Sequence, residues 1–117
     1  MLTFEKVLEV FRDYLAEDKS YEVLCASRGY LVVNWANCEY NWVTAQLCLT
    51  PEDLRDMLRF SYAEYQGFRR TDGYKRDLTE QEDQDIERMG LELAARCEEK
   101  GPASGKVADF LYNDLVI

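Results

Sequence analysis

The stretch YEVLCASRGYLVVNWANCEYNWVTAQLCL, residues 21–49, decides the fold. Its Tyr, Val, Trp and Thr content and its short apolar runs favour extended chain, because branched and aromatic side chains fit a pleated, half-buried surface. Three strands fit, at 21–26, 30–36 and 40–48, with Arg28-Gly29 as one tight turn and Asn37-Cys38-Glu39 as the next. Connections this short join only antiparallel neighbours, so the segment reads as a three-stranded meander. Two registers stay open at the second turn. A three-residue turn places Leu31, Val33 and Trp35 with Val43, Ala45 and Leu47 on one face, and Tyr30, Val32 and Asn34 with Tyr40, Trp42 and Thr44 on the other. A two-residue turn slips the pairing by one and moves Trp35 to the face of Tyr40 and Trp42.

The flanking sequence supplies helices. Ahead of the meander, Thr3 can cap a helix over 3–17 whose apolar stripe is Phe4, Val7, Leu8, Phe11 and Leu15, at the three- and four-residue spacing of one buried face. Behind it, Thr50-Pro51-Glu52-Asp53 is a helix start: Thr caps, Pro suits the first helical position, and early acids complement the dipole. Leu54, Met57, Leu58, Tyr62, Tyr65 and Phe68 form that helix's stripe, and Gly67 or Thr71-Asp72-Gly73 stops it. Thr79-Glu80-Gln81-Glu82 matches a capping box for a third helix with the stripe Ile86, Met89, Leu93, Ala94 and Cys97, closed by Gly101-Pro102. The tail from Ser104 to Ile117 is either a short helix or a strand. The order α-β-β-β-α-α predicts an α+β fold, a three-stranded antiparallel meander packed by helices. A chain of 117 residues makes one domain, 1–117, with 103–117 as a tail able to dock separately. At 47% hydrophobic and 13% aromatic residues it has the means to bury a core.

Charge and composition exclude more than they identify. The chain carries 14 basic and 23 acidic residues, a net charge of −9, which repels phosphate backbones and anionic lipid. Direct nucleic-acid binding and membrane binding are therefore not expected. Histidine is absent, so a Ser-His or Cys-His nucleophile is excluded, and Cys25, Cys38, Cys48 and Cys97 lack the spacing of a zinc site. The cysteines read as reduced thiols behaving as small buried hydrophobes. The N-terminus lacks the apolar run of a signal peptide, and the apolar stretch Tyr30-Leu31-Val32-Val33 is far too short to span a bilayer. A soluble, cytoplasmic protein is the expectation.

The segments Leu2-Thr3-Phe4-Glu5-Lys6-Val7-Leu8-Glu9-Val10-Phe11, Tyr21-Glu22-Val23-Leu24 with Arg28-Gly29-Tyr30, and Thr50-Pro51-Glu52-Asp53-Leu54-Arg55 resemble small uncharacterised proteins of gut Firmicutes, some of which travel with mobile elements. The resemblance covers roughly residues 2–66. It implies no activity and carries over no functional residues.

The most informative feature is the aromatic richness of the meander: Tyr21, Tyr30, Trp35, Tyr40 and Trp42. One helical layer covers one face of a sheet, and in both registers the second face carries large apolar groups. The candidate interface is accordingly Tyr30, Tyr40 and Trp42 with Phe110 and Leu115 of the tail. It fits a non-catalytic protein–protein interaction module that forms a homodimer or joins a larger assembly, unless the tail or the third helix covers that face. Glu80, Glu82, Asp83, Asp85 and Glu87 form a candidate acidic surface. Their spacing is that of a helix start and not of a calcium loop, and the alternative reading they support is an acidic inhibitor or nucleic-acid mimic acting on a protein. Four bases in Phe68-Arg69-Arg70-Thr71-Asp72-Gly73-Tyr74-Lys75-Arg76 either meet an acidic group or pair with nearby acids. Carboxylate pairs such as Asp13 with Glu17 or Glu52 with Asp56 sit on exposed helix faces, and neither Cys25 nor Cys48 has a base beside it in the sequence. No enzyme activity, cofactor or metal is expected.

Overall fold

Thr3 opens the chain's first helix: its hydroxyl accepts a hydrogen bond from the Lys6 backbone N–H at 3.1 Å, and α1 runs from Phe4 to Val10. The structure is a computed structural model and describes residues 1–35 and 43–99. The single helix expected over 3–17 is broken at Phe11, whose φ of −91° and ψ of 5° leave the helical region before α2 (Arg12–Glu17) resumes. Phe11 itself is wholly buried, with Val7 and Leu8 beside it and Tyr14 just beyond the bend. Burying each such side chain stabilises the fold by about 1.5–3 kcal/mol.

The meander follows as β1 (Tyr21–Ala26), β2 (Gly29–Asn34) and β3 (Thr44–Cys48), antiparallel and in that spatial order. Ala26 pairs with Gly29, so the first turn is Ser27-Arg28, one residue earlier than expected. Leu31 pairs with Leu47 and Val33 with Ala45. This keeps the face membership of the three-residue reading, because the register is two residues from it and side chains alternate with period two. The turn at Asn37-Cys38-Glu39 lies outside the described residues.

The helices cover the face that carries Val23, Val32 and Cys48, which are 1%, 2% and 1% exposed. This corrects the expectation that the face of Tyr30, Val32 and Asn34 stays open. The physical reason lies in β1: its alternation puts Val23 opposite Val32 and Glu22 opposite Val33, and a sheet buries the face that carries no charge. Tyr30 goes with the covered face, half-buried, its ring 4.8 Å from that of Phe4.

Thr50 caps α3 (Pro51–Arg70) by accepting from the Asp53 N–H, and Leu54, Leu58, Ser61 and Tyr62 are buried along it. Gly67 does not stop this helix; the stop comes at Thr71, whose hydroxyl donates to the Gly67 carbonyl at 2.8 Å and accepts from the Tyr74 N–H at 2.9 Å. The Thr79–Glu82 capping box forms as expected, and α4 (Glu80–Cys97) returns antiparallel to α3. Arg55 to Glu98 (2.8 Å) and Arg70 to Asp85 (3.0 Å) tie the two helices at opposite ends. Gly90 lies where the Arg59 stem crosses. The apolar core joins α1, α2, α3 and the end of α4 to the covered sheet face. Gly101-Pro102 and the tail lie outside the described residues.

Two predictions test this construction. Gly29 has φ +157°, and a Cβ there would collide with the Cys48 carbonyl oxygen at the end of β3. Gly29→Ala is expected to lower the stability measured by urea unfolding by about 1–3 kcal/mol; an unchanged midpoint would show that β3 does not close on β2 there. Arg76, backed by the Thr79 backbone, holds the Glu82 carboxyl down to about 2. A depressed folded pKa stabilises above the unfolded value, near 4.3, and that contribution fades as pH falls towards 2. Glu82→Gln keeps the capping geometry and removes the charge, so its melting temperature should fall below wild type near neutral pH. The gap should close as pH falls from about 5 to 2 and narrow in about 1 M salt; a gap independent of pH would assign the effect to something other than the ion pair.

Candidate functional site

A cleft of about 460 Å³ opens where the end of α2, the start of β1, the C-terminal half of α3 and the 71–77 turn converge. Its construction starts at Asp18. This residue is 4% exposed, and its carboxylate accepts from the Tyr14 hydroxyl at 2.7 Å and from the Ser20 N–H at 3.0 Å. That corner ends α2 and delivers Tyr21 into β1, while the Ser20 carbonyl accepts from the Trp35 N–H at 2.7 Å.

The opposite wall is α3, which presents Tyr65 and Phe68 one helical turn apart, with Glu64 beside them. Tyr65 stands against Tyr14, ring centres 5.7 Å apart. The last wall is Tyr74. It has φ +61°, in the left-handed region together with Asp72 (+53°) and Gly73 (+81°), a conformation that costs a bulky residue energy and so needs local support. The support is visible: Thr71 binds its N–H, its own hydroxyl donates to the Glu64 carbonyl at 3.2 Å, and its ring stands edge-on to Phe68 at 5.8 Å.

The cleft is aromatic and negative. Glu17, Asp18 and Glu64 line it against Lys19, whose ammonium donates to the Ala16 carbonyl at 3.0 Å. Burial raises the Tyr21 phenol, and the charges of Glu64 and Asp18 raise it further; Tyr74 is raised by burial and then by Glu64. These hydroxyls therefore act as neutral donors. The chain's own Arg69 uses the rim, 5.7 Å above the Tyr65 ring and 2.7 Å from Glu17. Nothing in the sequence pattern joined these residues, because they come from four separate segments; the one local clue was the aromatic pair flanking the Thr71-Asp72-Gly73 turn.

A second surface is the sheet face opposite the helices. Leu24 and Leu31 are half-buried there, Val33 is buried, and Ala45 and Leu47 are exposed, Leu47 by 44%. Trp35 and Val43, flanking β2 and β3, are 40% and 42% exposed. Of the expected interface residues, Tyr30 faces the helices, while Tyr40, Trp42, Phe110 and Leu115 lie outside the described residues.

Two of the five acids expected to form an acidic surface on α4, Glu82 and Asp85, are tied within the chain. Glu82 binds Arg76 at 2.8 Å, and Asp85 binds both Arg70 (3.0 Å) and Arg88 (2.7 Å); Glu80 and Asp83 stand in the first helical turn, and Glu87 is exposed. The basic 68–76 segment is paired in the same way, with Lys75 on Asp72 and Arg69 on Glu17. Cys48 and Cys97 are buried, and burial pushes the Cys48 thiol up and the Cys97 thiol to about 11. Cys25 departs from the expectation of a buried thiol: it is exposed, at the outer edge of β1 next to the hairpin turn. Among the described residues no group of three or more possible metal ligands gathers, and no helix is long and apolar enough to cross a membrane. Comparison with protein-family models, with curated proteins and with solved structures finds no match.

Proposed function

We propose that the chain is a small, non-catalytic protein–protein interaction module of the cytoplasm that self-associates through the sheet face opposite its helices. The observation that carries this reading is the apolar character of that face, where Leu47, Trp35 and Val43 are each at least 40% exposed around Leu24, Leu31 and Val33. Contiguous apolar surface of this kind on a small protein marks a contact site. A second copy is the partner always present at matching concentration, and an isologous pair buries the same patch on both sides. An acidic mimic acting on a foreign protein has weaker support, because Glu82 and Asp85 spend their charge on Arg76, Arg70 and Arg88.

Light scattering tests the proposal. Wild type is expected at twice the chain mass of 13.7 kDa at low and high salt alike, since apolar contacts do not weaken with screening. Leu47→Glu should run at the single-chain mass with an unchanged circular dichroism spectrum. A wild-type monomer at every salt concentration would sink the reading, and a dimer that survives Leu47→Glu would move the interface elsewhere.

A further inference from the structure

The geometry points to the cleft between α2, β1, α3 and the 71–77 turn as a binding site for a methylated ammonium group, held by the rings of Tyr21, Tyr65, Phe68 and Tyr74 over the charges of Asp18 and Glu64. This goes beyond self-association and does not depend on it, because none of these residues belongs to β3 or to the open sheet face.

Three observations carry the inference. Aromatic walls with acidic neighbours are the chemistry that recognises organic cations, since each ring face attracts positive charge and the carboxylates set the sign of the field. Here four rings, one from β1, two from α3 and one from the turn that follows it, line one volume of about 460 Å³, ample for such a head group. The second observation is an uncompensated carboxylate. Asp18 is 4% exposed, both its hydrogen bonds come from the neutral donors Tyr14 and Ser20, and among the described residues no cation pairs with it. Charges withdrawn from water are normally paired, and a bound cation would supply the missing partner. The third is that the protein already places a cation at the rim, where Arg69 lies over Tyr65.

The same geometry selects the type of cation. The Asp18 oxygens are occupied by Tyr14 and Ser20, and Arg69 holds Glu17. Glu64 is the one lining carboxylate not so engaged, and the cleft therefore offers four rings and a negative field but a single open carboxylate. A guanidinium carries five donors and a simple ammonium three, each needing an acceptor. A methylated ammonium needs none, and its apolar methyl groups suit the rings. Tyr74, held in its left-handed conformation, lines the cleft edge-on to Phe68.

Titration of the full chain, followed by tyrosine fluorescence and amide NMR shifts, tests the site. Choline is the probe for a free small molecule and a trimethyllysine peptide for a protein side chain. Either is expected to bind saturably in the millimolar range or tighter, and the tighter of the two identifies the source. The neutral isostere 3,3-dimethylbutan-1-ol should bind at least about tenfold more weakly, because it lacks the charge. Phe68→Leu keeps apolar volume at an exposed position and removes one ring, so choline affinity should fall about fivefold; Glu64→Gln should weaken it as well. Equal binding of choline and the neutral alcohol, or no saturable shift up to about 100 mM, would overturn the inference. The mass of the protein in solution is a separate readout, so failure here leaves the sheet-face proposal standing or falling on its own.

Discussion

Val23, Val32 and Cys48 share one face of three neighbouring strands and are almost wholly withdrawn from water. Keeping them so is the constraint from which the remaining arrangement follows. α3 lies against β2 and β3, and α1 packs on α3 and α4, so one helical layer is enough to seal one side of the sheet. Phe11, Leu8, Leu54 and Leu58, all at 0% exposure, are the centre of that seal. With the described helices committed to one side, the opposite face keeps Val33 buried and Leu31 half-buried but leaves Leu47 44% exposed.

The second constraint is the corner at Asp18. A buried carboxylate is costly unless hydrogen-bonded, and this one is bonded by Tyr14 and Ser20. Tyr14 in turn stands edge-on to Tyr62 at 5.4 Å and tilted against Tyr65 at 5.7 Å, with its hydroxyl proton held tightly by burial. One hydrogen bond thus links the helix end, the strand start and the aromatic side of α3. The aromatic cleft is the outer surface of this link.

What could be read in advance divides along the same physical line. Capping chemistry is local, and Thr3, Thr50 and the Thr79–Glu82 pair all form the contacts their neighbours imply. Strand order followed from short connections, and the stripes of α1 and α3 followed from periodicity except at Phe68, which was expected in the α3 stripe and is 52% exposed. Which sheet face the helices cover was not legible from β2 and β3, because both faces of those strands are apolar. The discriminating residue, Glu22, sits in β1, and using it requires the pairing of all three strands at once. The bend at Phe11 likewise belongs to tertiary packing, since periodicity runs through it unbroken. The cleft was illegible for a deeper reason: its walls are separated by dozens of residues, and no spacing rule connects Tyr21 to Tyr74.

The net charge of −9 suggests a protein governed by long-range repulsion, and the ion pairs argue for a more local electrostatics. Arg70, Arg76 and Arg88 bind Asp85, Glu82 and Glu92 of α4, and Arg55 reaches Glu98, so part of the acidic helix is neutralised locally while Glu80, Asp83 and Glu87 stay exposed. Pairs this exposed contribute little each and weaken with salt. Asp18 is different: it is buried, it has no cationic partner among the described residues, and it lies beneath aromatic rings where screening is poor. A carboxylate in that position influences its surroundings more than several on an open helix. The sign of the field in the cleft is therefore set by one buried residue and its neighbour Glu64, while the acids of α4 meet their own arginines and solvent. The exposed sheet face, with its leucines and valines, stands outside both of these fields. The two surfaces of this protein are thus separable in physical kind: one answers to apolar area alone, and the other to charge held over rings.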